Sequence, residues 1–141
     1  MLIGITNLIF ILLLVAVAVF VAKFEWRILI ARLRGMVEFD SLSAQKFIES
    51  KGPFILDVRE QHEYDAGHIA KSKLIPLGGL ESQIPELNEY KSRPILVVCR
   101  GGRRSAIACT LLKKNGFMQA YNLKGGVEAW KKATLPLEIV H

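Results

Sequence analysis

The chain has 141 residues, which allows one domain and little more. Its net charge of +6 is local: Lys23, Arg27, Arg32 and Arg34 against Glu25 put +3 in residues 23–34, and Arg100, Arg103 and Arg104 account for the +3 of the rest. That distribution argues against a nucleic-acid surface, which needs a basic face or stripe, and two cysteines with three scattered histidines argue against a disulfide framework or a metal site.

Residues 1–22 carry no charge, and 8–22 are apolar throughout. As a helix, such a stretch spans about 33 Å, enough for a hydrocarbon core of about 30 Å. Lys23, Trp26 and Arg27 follow at once, as in the interfacial belt of a membrane span. Ala16-Val17-Ala18 imitates a signal-peptide cleavage site, but no positive segment precedes the apolar run. A buried core helix is the third reading, and a domain this small would hardly cover it all round. The expectation is an uncleaved single-pass anchor in the cytoplasmic (inner) membrane. The charges after the span place its amino terminus outside and the rest of the chain in the cytoplasm. Residues 23–35 form a basic juxtamembrane helix that Gly35 ends, and 36–141 form the domain.

Beyond Gly35, strands and helices alternate. Residues 37–39 form a short strand, and Ser43 caps a helix to Ser50 with Gly52 past its end. Residues 54–58 (FILDV) make a buried strand, 60–66 a short helix closed by Gly67, and 74–77 a strand. Residues 80–87 form a helix disturbed by Pro85, and 95–98 (ILVV) the strongest strand. Residues 105–114 make a helix ending at Asn115-Gly116, 120–123 a strand and 127–132 a last helix. Alternation of this kind gives an α/β fold, a mostly parallel five-stranded sheet with helices on both faces. Ligands bind such sheets at the carboxyl ends of the strands.

The strongest strand ends directly in Cys99, and Arg100-Gly101-Gly102-Arg103-Arg104 leads to the helix at Ser105. Two glycines let the backbone curl so that successive N–H groups point inward. The helix end adds partial positive charge and the arginines full charge. Each feature stabilises a thiolate nucleophile and draws in an anion. The plain alternative, a core cysteine beside a solvated turn, gives the glycines and arginines no purpose.

These residues resemble the rhodanese family of sulfurtransferases. Asp57-Val58-Arg59-Glu60, Glu63-Tyr64, Gly67-His68-Ile69 and Ile75-Pro76-Leu77 are similar to the family's D-V-R-E, E-Y, G-H-I and I-P-L series. Cys99-Arg100-Gly101-Gly102-Arg103-Arg104-Ser105 resembles its C-R-x-G-x-R-S loop, and Asn122-Leu123-Lys124-Gly125-Gly126 with Trp130 its closing L-x-G-G and W. The likeness covers about residues 36–135 and leaves out the anchor. It implies that Cys99 takes a sulfur from thiosulfate or another sulfane-sulfur donor as a persulfide and passes it to a thiol, a protein thiol or cyanide. No cofactor or metal is implied beyond that covalent intermediate. Arg100, Gly101, Gly102, Arg103, Arg104 and Ser105 would bind the donor. Arg59 would either help hold the anion or tie two loops in a salt bridge. Asp57, Glu63 and His68 are read as structural, Gly125, Gly126 and Trp130 as turn and core, and Cys109 as core packing.

Two other functions are open to such a chain. A cysteine phosphatase or arsenate reductase holds a larger oxyanion in a loop with five residues before its arginine. Here four separate Cys99 from Arg104, and Ser105 stands where the longer loop needs arginine. A membrane-tethered binding module without catalysis would have no need of Cys99.

Overall fold

The computed structural model of the chain describes the backbone of residues 2–141 and the side chains of residues 4–23 and 35–141. The chain divides at Gly35 into two units. The first is one uninterrupted helix, α1 (Leu2–Arg34). Within it Gly4–Lys23 has a mean hydropathy of 2.9, and it is long and apolar enough to cross a membrane. The side chains of Trp26, Arg27, Arg32 and Arg34, expected at a membrane surface, lie outside the described residues.

The second unit carries five strands: β1 (Glu38–Phe39), β2 (Phe54–Asp57), β3 (Lys73–Leu74), β4 (Ile95–Val98) and β5 (Ala120–Leu123). They form one parallel sheet in the order β1-β5-β4-β2-β3. Parallel strands need covered faces, and the apolar runs supply two cores. Leu56, Ile95 and Val97 face one side with Leu80, Leu87, Ala108 and Leu112. Ile55, Leu96 and Val98 face the other with Ala44, Val127 and Trp130. The helices α2 (Ser41–Lys51), α3 (Gln61–Asp65), α4 (Leu77–Gln83), α5 (Arg103–Lys114) and α6 (Gly126–Lys132) complete the unit.

Several boundaries differ from the sequence-based expectation. Helix α2 is capped by Asp40 rather than Ser43: the Asp40 carboxylate accepts from the Ser43 amide at 2.9 Å and from its hydroxyl at 3.1 Å. These bonds also lower the Asp40 pKa. The strand expected at 74–77 is only Lys73–Leu74, because Pro76 turns the chain into α4. The helix expected at 80–87 is α4 followed by a 3-10 helix (Ile84–Tyr90), the change falling at Pro85, which has no N–H to give an α-helix interior. Helix α5 begins at Arg103, two residues early, so the loop after Cys99 is only Arg100, Gly101 and Gly102.

Candidate active site

Strand β4 is central, with β2 and β5 on either side. Three connections therefore meet at the carboxyl edge of the sheet: the one after Asp57, the one at Cys99 and the one after Leu123. Cys99 is 1% exposed, a floor rather than a protrusion. Its Sγ accepts a hydrogen bond from the Gly102 amide at 3.1 Å and another from the Ser105 hydroxyl at 3.1 Å. Two fixed donors aimed at one sulfur stabilise negative charge there.

The loop can turn its amides inward because its carbonyls are held from outside. The Val127 amide donates to the Cys99 carbonyl at 2.8 Å and the Glu128 amide to the Arg100 carbonyl at 3.0 Å. The Asn122 side chain donates to the Gly102 carbonyl at 3.1 Å and to the Glu38 carboxylate at 2.6 Å. The otherwise unpaired first amides of α6 thus anchor the loop that begins α5. This contact leaves no room for a side chain at Gly126. A Cβ there would collide with the Cys99 and Arg100 carbonyl oxygens, and its φ of 59° is left-handed. Gly102 is constrained as well, with φ 96° and a built Cβ 3.1 Å from the Gly125 amide. Gly101 is not: a Cβ there meets nothing within 4 Å.

The arginines divide by partner. Arg104, in the first turn of α5, makes a two-pronged pair with the Glu63 carboxylate, both contacts 2.8 Å. That pair holds the Glu63 pKa down at about 2 and raises that of Arg104. Arg100 reaches the Glu128 carboxylate through Nε at 2.6 Å, with both side chains well exposed. Arg103 is exposed, with no ion pair among the described residues. Arg59 is buried. It grips Asp57 through Nε and Nη2 and donates to the backbone carbonyls of Glu63 and Gly67. The salt bridge is to Asp57, two residues away, and the other partners lie on the same connection, so Arg59 braces its own loop rather than tying two loops together. Even so, Arg59 lines an open depression of about 250 Å³ with Glu63, Ala66, Arg100, Val127, Glu128 and Lys131. Cys109 lies in the core beside Ala108 and Leu112, and burial pushes its thiol up to about 12. His68 stacks on Tyr64, and its Nε2 lies 3.6 Å from the Glu138 carboxylate.

With this geometry the family assignment can be tested against known proteins. A profile of the Rhodanese-like domain matches residues 41–133. The chain belongs to the rhodanese-like family. A sulfurtransferase of Allochromatium vinosum is 30% identical over 101 residues, a match covering 72% of this chain and 92% of that protein. A rhodanese-like domain protein of Staphylococcus aureus has a crystal structure with TM-score 0.62 and 34% identity, covering 75% of this chain and 100% of that one. A Rhodopseudomonas palustris protein of unknown function, described as a possible tyrosine phosphatase, has TM-score 0.71 and 26% identity, covering 78% and 90% of the two chains. The matches to three further curated relatives cover only 48%, 23% and 59% of those proteins' lengths.

The loop's partners include Gly126, which the sequence suggests only as a turn, and Asn122, Glu128 and Lys131, to which it gives no role in the site. Gly126 and the amides of Val127 and Glu128 hold the loop from outside, Asn122 holds Gly102, and Glu128 and Lys131 flank Arg100. The signal for the first three was available: in a parallel sheet, the loop after β5 ends beside the loop after β4. Nothing in the sequence marks Lys131 among the other surface lysines.

Proposed function

We propose that this chain is a membrane-anchored sulfurtransferase with Cys99 as its nucleophile. The Cys99 thiolate attacks the outer sulfur of thiosulfate. A new sulfur–sulfur bond forms at Cys99, the donor's sulfur–sulfur bond breaks, and sulfite leaves with the bonding pair. The resulting persulfide is anionic. A thiol, a protein thiol or cyanide, each reacting as its anion, then takes the terminal sulfur and returns Cys99 as thiolate. Neither step needs a metal or a cofactor. The observation that carries this reading is the pair of donors, the Gly102 amide and the Ser105 hydroxyl, each 3.1 Å from Sγ. They serve the thiolate and the persulfide alike. The exposed Arg103, and Arg100 beside it, attract the donor dianion.

The description of the R. palustris neighbour favours a second reading, a phosphatase. The short loop speaks against it, and so does Arg104, whose guanidinium is held by Glu63. The assay that decides is thiocyanate formation from thiosulfate and cyanide beside hydrolysis of an aryl phosphate. Thiocyanate formation should dominate. Faster phosphate hydrolysis would establish the phosphatase, and neither activity would leave a tethered binding module.

We further propose that residues 1–22 span the cytoplasmic membrane, that the same helix continues through 23–34 past its inner surface, and that 36–141 work in the cytoplasm. The basic residues follow the apolar stretch, which favours that orientation, and a persulfide is safer in a reducing compartment. A cysteine introduced at exposed Asn88, with Cys99→Ser in the same chain, reports the side directly. It should react with a membrane-impermeant thiol reagent only after cell lysis. Labelling in intact cells would reverse the orientation.

A further inference from the structure

The depression beside the cysteine loop is walled by Arg59, Arg100 and Lys131 and by two carboxylates, Glu63, which is paired with Arg104, and Glu128. Glu128 is tied to Arg100 twice. Its amide donates to the Arg100 carbonyl at 3.0 Å, and its side chain accepts from Arg100 Nε at 2.6 Å. The backbone bond holds the two residues side by side, so the carboxylate and the guanidinium can meet. Arg100 is 70% exposed and Glu128 53%, so the ion pair lies open to an incoming anion. Arg104 offers no substitute, because Glu63 already occupies it.

We infer that Glu128 is a specificity-determining residue: its carboxylate, paired with Arg100 at the depression, sets a negative charge there that disfavours dianionic sulfur donors relative to monoanionic ones. The inference rests on the sulfur-transfer reading. The physical reason is that Coulomb energy scales with the donor's charge. A fixed negative charge at the depression repels a dianion such as thiosulfate twice as strongly as a monoanion at the same place. The fold-change in KM on removing that charge for the dianion is therefore about the square of that for the monoanion. The pair is exposed, so the effect is moderate and salt-screened.

The test uses the full chain in detergent with two donors, thiosulfate as dianion and benzenethiosulfonate as monoanion, both read by Cys99 persulfide formation. In Glu128→Gln, the KM for thiosulfate should fall about two- to fivefold. That for benzenethiosulfonate should fall by about the square root of the same factor. In an Arg100→Ala background, where the carboxylate is unpaired, Glu128→Gln should still lower both KM values in the same relation. Equal shifts for both donors, unchanged KM values, or loss of the effect without Arg100 would each overturn the inference while leaving sulfur transfer standing. Persulfide with neither donor in the unaltered chain would overturn the sulfur-transfer reading itself, and the inference with it.

Discussion

Gly126→Ala should remove most sulfur transfer although the residue never touches a substrate. The left-handed backbone at φ 59° costs an alanine about 1–2 kcal/mol. The larger effect is steric, because the new methyl group collides with the Cys99 and Arg100 carbonyl oxygens. To relieve that, the loop must shift or α6 must withdraw, and either change breaks the bonds from the Val127 and Glu128 amides. The Gly102 amide then loses its aim at Sγ. Misplacing reacting groups by about 1 Å can cost on the order of a hundredfold in rate, and a loss of that order in kcat is the expected result. Because the collapse is local, the far-ultraviolet circular dichroism of the folded chain should change little. Near-normal kcat in Gly126→Ala would show that the loop does not depend on α6.

Cys99→Ser and Cys109→Ser should separate catalysis from packing. Among the described residues, Cys99 Sγ is the one sulfur with donors converging on it, so its replacement abolishes transfer. Cys109 is buried in the core, with its thiol pushed up to about 12 by burial, so it remains protonated at neutral pH. A serine there buries a hydroxyl among apolar side chains and should cost about 1–3 kcal/mol of stability. It should lower Tm while most of the activity survives. Substantial turnover in Cys99→Ser, or its loss in a folded Cys109→Ser protein, would reverse the assignment.

The parts of the fold legible in the sequence are those where one physical signal dominates. Residues 95–98 are buried on both faces and read as an unbroken apolar run, and the glycines and arginines after Cys99 mark a tight cationic turn. The region from 73 to 90 is not legible in the sequence because β3 has two residues, too few for any periodicity, and two prolines reset the chain on either side of α4. The cysteine was visible, and its neighbours' partners were not. Glu63 meets Arg104 across 41 residues of sequence, and Glu128 meets Arg100 across 28. Only the order of strands in the sheet brings those loops together. The arginines' positive charge was legible, whereas the two carboxylates that answer it depend on topology.

The central claim is that Cys99 carries sulfur between donor and acceptor, and the mass of the purified chain after thiosulfate treatment tests it most directly. The account predicts a gain of one sulfur atom on the peptide containing Cys99, lost again on adding cyanide and absent from Cys99→Ser. An unchanged mass, or the added sulfur on Cys109, would contradict it.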